Sequence, residues 1–181
     1  MYVDGESMSL MYLSLGSNLN DRYANLRRAV DELQKFVKIT AISPVFATKP
    51  WGDTEQPSFL NICVAAVGNL SPHDFLNRIK DIENTMGREP SRHWGPRLID
   101  IDILFFDKLI LNDQKLTIPH PYMAERAFVL APLAVIIPEF RHPQTGLSVQ
   151  EMLEKVDLSG VERLFEMPFP IDLNETAKIP A

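Results

Sequence analysis

His93-Trp94-Gly95-Pro96-Arg97-Leu98-Ile99-Asp100-Ile101-Asp102-Ile103-Leu104-Phe105-Phe106 runs from a basic, aromatic loop into a strand that begins at Leu98. From Leu98 to Phe106 the only polar residues are Asp100 and Asp102. Side chains two apart on a strand leave from the same face, so both carboxylates project together. At about 3.3 Å per residue their Cα atoms lie roughly 6–7 Å apart, close enough to converge on one or two divalent cations. Ionised carboxylates are costly to bury unpaired on an apolar strand. A hard cation that takes oxygen ligands, Mg²⁺ above all, removes that cost. The arginine and tryptophan just before the strand point to an anionic ligand with a ring. An Asp-x-Asp pair can also simply face solvent from a half-exposed strand. Against that, Leu98, Ile99, Ile101, Ile103 and Phe105 form an almost unbroken apolar run, which predicts a central, buried strand.

The rest of the chain bounds the classes open to it. At 181 residues it suits one domain with a sizeable core. Hydrophobic and charged contents of 45% and 23% are ordinary for a soluble protein. No apolar run is long enough for a membrane span, and no signal peptide is expected at the N-terminus. The single cysteine, Cys63, excludes an internal disulfide and reads as a buried, inert thiol. These features predict a cytoplasmic place. A net charge of −6 argues against nucleic-acid binding, which needs a basic face. Positive charge is nonetheless gathered at Arg88, Arg92 and Arg97, with His93 beside them and Glu89 as the only acid. That segment is a candidate phosphate site, or else a solvated loop.

Periodicity and breakers divide the chain further. Residues 1–9 read as a loose lead. Leu10–Leu15 is a short strand ending in the turn Gly16-Ser17-Asn18. Asn20 or Asp21 can cap a helix carrying Leu26, Ala29, Val30, Leu33, Phe36 and Val37. Val37–Phe46 resembles a strand ending near Pro44, and Ala47–Pro57 a loop. Phe59–Leu70 is a long strand. Ser71-Pro72 opens a helix with Phe75, Leu76, Ile79, Ile82 and Met86 inward, stopped by Gly87. After loop Arg88–Pro96 comes the diaspartate strand. Asp107–Leu111 with Gln114–Ile118 suggests a hairpin, Glu125–Ile137 and Val149–Lys155 suggest helices, and residues 166–181 read as a tail behind one domain over 10–165. The order β, α, β, β, α, β matches an α+β, ferredoxin-like sandwich. That is an antiparallel sheet with two helices on one face, the diaspartate strand as its fourth, plus C-terminal helical additions. The irregular loops Ala47–Pro57 and Arg88–Pro96 flank the pair as candidate lids. Each holds a tryptophan, Trp51 and Trp94, either waiting for a ring or anchoring its loop.

Taken in order, several motifs resemble one family. They are Leu15-Gly16-Ser17-Asn18; Phe59-Leu60-Asn61; Ile82-Glu83 before Gly87-Arg88; Trp94-Gly95-Pro96-Arg97 leading into Asp100-Ile101-Asp102; and Pro119-His120 before Arg126-Ala127-Phe128. Together, over about Leu10 to Lys155, the chain resembles 6-hydroxymethyl-7,8-dihydropterin pyrophosphokinase of folate biosynthesis. The resemblance implies transfer of a pyrophosphoryl group from ATP to the pterin hydroxymethyl oxygen, giving AMP. By the same resemblance, Asp100 and Asp102 would hold two Mg²⁺ ions. Arg88 and Arg97 would steady charge on the migrating phosphates. Thr48, Asn61, Trp94, Asp100 and Phe128 would receive the pterin, and Glu83, Arg88, Trp94, Arg97, Ile103, His120 and Arg126 the nucleotide. A monomer is implied, with possible functional or covalent association with dihydropteroate synthase or dihydroneopterin aldolase. In place of a tyrosine directly after the histidine, as in some members, stands Pro121, with Tyr122 one place on.

The residue types suit that chemistry independently. Phosphoryl-type transfer depends on positioning and charge neutralisation, two metals clamp attacking and leaving oxygens, and arginine forks bind phosphate oxygens bidentately. No G-x-x-x-x-G-K-[ST] loop is present, so metal and arginine must do its work. Taken singly, each residue has a plainer reading: Asn61 satisfying a backbone group, Phe128 as core, Glu83 and Arg88 as a surface ion pair, His120 as a turn residue. Another two-metal nucleotide-dependent transferase on the same sheet would use the aspartates equally well, but would leave Asn61 and the tryptophan loops without a role.

Overall fold

The computed structural model describes residues 2–3, 6–49, 57–87 and 97–168. Arg88, Trp94, Trp51, Arg92 and His93 lie outside the described residues. A short ribbon, β1 (Tyr2–Val3) with β2 (Glu6–Ser7), precedes β3 (Ser9–Ser17), α1 (Arg22–Leu33), β4 (Lys38–Ile42), β5 (Val45–Thr48) and β6 (Phe59–Gly68). Then follow α2 (Pro72–Thr85), β7 (Asp100–Phe106), the small hairpin β8 (Leu111–Asn112) with β9 (Thr117–Ile118), α3 (Ala127–Ile136), α4 (Val149–Leu153) and β10 (Val161–Phe165). The main sheet has the order β10-β5-β6-β3-β7, with β4 beside β6, and every pairing in it is antiparallel. This is the expected α+β sandwich.

The first two helices form where the sequence signals them. Asp21 accepts a hydrogen bond from Ala24 N at 3.0 Å and caps α1. Ser71 caps α2, and Pro72 takes its first turn, where a missing N–H does no harm. Their buried stripes, Leu26, Ala29, Val30 and Leu33 on α1 with Phe75, Ile79 and Ile82 on α2, cover one face of the sheet. That face presents Met11, Leu13, Leu15, Ile62, Val64, Ile101 and Ile103 to the main core. The apolar helix α3 covers the other face with α4, over Tyr12, Cys63, Ala65 and Phe105. Side chains alternate along a strand, so this second face also carries Ser14, Gly16, Asn61, Asp100 and Asp102. Its apolar part lies under α3, and its polar part forms the site.

The expected loose lead over residues 1–9 instead contains the β1–β2 ribbon and the first residue of β3, and four further features differ from the sequence reading. β7 lies at an edge of the sheet, not at its centre. Its apolar run reports that both faces are covered, which says nothing about lateral neighbours. The outer edge is closed without a strand: Ile101 N donates to Glu83 Oε1 at 2.9 Å, and His120 N donates to the Leu104 carbonyl at 3.0 Å. The expected strand Val37–Phe46 is two strands, because Pro44 has no N–H for the ladder. Ser43 bridges the break, its N–H donating to the Cys63 carbonyl and its Oγ accepting from Cys63 N, both at 2.9 Å. The expected helix from Glu125 breaks at Arg126, whose backbone is extended between a single 3₁₀ turn, Met123–Glu125, and α3. Finally, β10 was not foreseen. It pairs with β5, and Met167, read as tail, is buried in the main core at 5% exposure.

Candidate active site

The register of three strands assembles the site. Asn61 of β6, Gly16 of β3 and Asp100 of β7 stand side by side, and one step along stand Cys63, Ser14 and Asp102. Gly16 leaves room between Asn61 and Asp100: a Cβ there would lie 3.0 Å from Asn61 Oδ1, which would have to give way by a few tenths of an ångström. Asn61 is buried and donates through Nδ2 to Thr48 Oγ1 at 2.9 Å. That bond fixes the amide plane and brings together two residues expected at the pterin.

Asp100 pairs with Arg97 Nη1 at 2.5 Å. Arg97 is in turn anchored by its backbone: its N–H donates to Asn18 Oδ1 at 2.7 Å, and its carbonyl accepts from Asn18 N at 3.1 Å. The turn after β3 therefore sets where the arginine stands. Asp102 has looser company, with His120 Nε2 at 3.8 Å and Arg126 Nη1 at 3.9 Å. Burial, and then the neighbouring Asp100 charge, push its carboxyl up to about 6. A third of its side chain remains exposed (34%), so it stands at the rim of the cleft, open to a ligand.

His120 Nδ1 accepts from Tyr122 N at 3.2 Å, which leaves the ring proton on Nε2, facing Asp102. Burial, then Arg126, lower its basicity to about 4, so the ring is neutral at pH 7. The Arg126 guanidinium lies 5.5 Å from the Tyr122 ring centroid and 5.7 Å from that of Phe128, within cation–π range of both. Phe128, in the first turn of α3, is half-buried against the second core.

Two expected nucleotide residues are placed differently. Glu83 is fully buried, bonded to Ile101 N and to Lys80 Nζ at 2.8 Å. The Ile103 side chain belongs to the main core at 4% exposure. Conversely, Asn18, Lys80 and Tyr122 stand in the arrangement without having been given roles. Asn18 was visible inside a quoted motif. Lys80 carried only the signal of its helical spacing from Glu83.

No group of three or more metal-binding side chains occurs among the described residues. Two carboxylates still fit Mg²⁺, which keeps waters and is held by one or two carboxylates together with substrate phosphates. The elevated Asp102 carboxyl beside Asp100 is the local sign of that fit: crowded negative charge that a cation would relieve.

Comparison with known proteins identifies the family. The family model described as 7,8-dihydro-6-hydroxymethylpterin-pyrophosphokinase matches residues 12–138. A 2-amino-4-hydroxy-6-hydroxymethyldihydropteridine pyrophosphokinase of Methylorubrum extorquens is 44% identical, covering 87% of this chain and 99% of its own. One of the same name from Aquifex aeolicus is 40% identical over 75% of this chain and 85% of its own. The Dictyostelium discoideum folic acid synthesis protein FOL1 is 40% identical over 90% of this chain, which spans 24% of that protein. The fold is similar to that of Plasmodium falciparum HPPK-DHPS, with a TM-score of 0.66 at 19% identity. It covers 84% of this chain and 45% of the solved one. The chain belongs to the 7,8-dihydro-6-hydroxymethylpterin-pyrophosphokinase family.

Proposed function

We propose how this site carries out its family's reaction, the transfer of a pyrophosphoryl group from ATP to the hydroxymethyl group of 6-hydroxymethyl-7,8-dihydropterin. That transfer yields AMP and the pterin diphosphate, and it is this chain's activity in folate biosynthesis. Asp100 and Asp102 would hold two Mg²⁺ ions, which when bound would supply charge neutralisation at the phosphates and a lowered pKa of the attacking hydroxyl. Asn61, with its amide fixed by Thr48, hydrogen-bonds the pterin edge, and Phe128 offers its ring to the pterin face. Arg97 exchanges Asp100 for the migrating phosphates, its backbone kept in place by Asn18. Arg126 and the neutral Nε2–H of His120 donate to the nucleotide phosphates. Arg88 and Trp94, outside the described residues, join as a further cation and a closing ring. A cytoplasmic, monomeric enzyme accords with this reading. No helix of the described residues is long and apolar enough to cross a membrane. Association with another folate enzyme is suggested by the relatives of which this chain spans only a part.

One observation carries the proposal. Two carboxylates share one face of β7, Asp100 in register with the buried Asn61 amide, with Arg97 beside Asp100 and Arg126 beside Asp102. The test is incubation with ATP, Mg²⁺ and the pterin. Pterin-dependent AMP that disappears with EDTA is expected. Release of inorganic pyrophosphate instead would assign the site to a different two-metal transferase.

A further inference from the structure

A carboxylate is among the side chains least often fully buried unless it is paired, yet Glu83 is 0% exposed. Its position explains this. Among the described residues, no strand lies on the outer side of β7. Backbone groups alternate in direction along a strand. Because Ile101 N–H points outward to Glu83, the backbone groups of Asp100 and Asp102 turn inward to Gly16 and Ser14 of β3. Glu83 thus does for Ile101 what a neighbouring strand would do. Its other oxygen is held by Lys80, nearly one turn earlier on α2 and half-exposed. The residue between the two aspartates is clamped from a rigid helix, not from a loop.

We propose that Glu83 is a positioning residue for divalent-metal binding: by holding Ile101 from α2, it fixes the strand pleat that sets the separation of the Asp100 and Asp102 carboxylates. This rests on the reading that those carboxylates hold the metal. It also removes Glu83 from the nucleotide contacts, because its carboxylate faces inward and cannot reach a ligand without releasing Ile101.

The test compares wild type with Glu83→Leu, Glu83→Gln and Asp102→Asn. Two readouts are independent of turnover: amide hydrogen exchange at Ile101 in the free protein, and calorimetric titration of Mg²⁺ into protein mixed with a non-hydrolysable ATP analogue. Glu83→Leu should speed exchange at Ile101 and raise the Mg²⁺ midpoint roughly 10–100-fold, the range seen when groups that orient metal ligands are removed. Glu83→Gln keeps an acceptor for Ile101 and should restore both. Faster exchange in Glu83→Leu with an unmoved Mg²⁺ midpoint would overturn the proposal. So would an equal loss of metal-free analogue binding in both Glu83 variants, which marks direct nucleotide contact. If Glu83→Leu does not fold, Lys80→Met takes its place; it should shift both readouts in the same direction, and no shift overturns the proposal. An unchanged midpoint in Asp102→Asn overturns the metal reading and this inference with it. A midpoint that moves in Asp102→Asn but not in Glu83→Leu overturns the inference alone.

Discussion

Asp102 shows how a residue can serve function against stability. Its carboxyl is elevated to about 6 by burial and by Asp100, whereas an unfolded aspartate titrates near 3.9. Between those values the folded protein binds the extra proton. Stability of the metal-free protein therefore falls as pH rises from about 4 to about 6, and the deficit is fully present above that window. Asp102→Asn should melt higher than wild type at pH 8 but not at pH 4. The gain is on the order of 1 kcal/mol once solvent screening of a partly exposed carboxyl is allowed for, or about 2–4 °C for a chain of this size. A wild type as stable as the variant at pH 8 would contradict the burial argument. Function moves the opposite way. Asp100→Ala and Asp102→Ala should abolish turnover with the fold kept, as checked by circular dichroism and steady-state kinetics. Activity within about tenfold of wild type, about 1.4 kcal/mol, would contradict the metal assignment. The aspartates were legible in the sequence because polar residues on an apolar strand demand a reason. The shift at Asp102 was not, because it depends on how far the folded chain buries that carboxyl beside Asp100 and on the cations Arg126, Lys80 and Arg97 that oppose the rise.

At the scale of elements, the site is a matter of register. A one-residue slip between β3 and β6 would turn Asn61 to the other face. Gly16 holds the two carboxyl-bearing and amide-bearing strands at the spacing the site needs. Gly16→Ala places a Cβ 3.0 Å from Asn61 Oδ1, and Asn61 cannot yield freely because Thr48 holds its other end. The expected result is a raised KM for the pterin with the KM for ATP little changed. A matching rise in both would place the damage in the strand, not at the amide. The same scale separates what the motifs disclosed from what they did not. Gly16, Asn61 and Asp100 each appeared in the sequence as fragments of separate motifs. That they form one row across three strands follows only from pairings between residues far apart in the chain. The edge position of β7 was missed for a related reason. Hydrophobic pattern records which faces are covered, while edge or centre depends on whether another strand arrives alongside.

At the scale of the whole molecule, β10 forms the far side of the sheet, and Phe165 and Met167 at and just after it pack on the main core. Phe165 meets Tyr23 edge-on with ring centroids 5.4 Å apart, and Met167 is buried. Met167→Ala should destabilise the protein by about 2–5 kcal/mol, the range for large-to-small core changes, as measured by denaturant unfolding. A loss well below 1 kcal/mol would mean that the segment after β10 adds nothing to the core. The sequence by itself determined the class of fold, the places of the first two helices and the diaspartate strand with its arginine, because these rest on local periodicity, capping residues and the spacing of a few charged groups. Only the tertiary structure decided that β7 is an edge, that Glu83 stands in for a missing strand, that Asn18 grips Arg97 and that residues near 165 belong to the core. Each of these is a contact between segments distant in the chain, set by how helices and strands pack and not by any pattern within one of them.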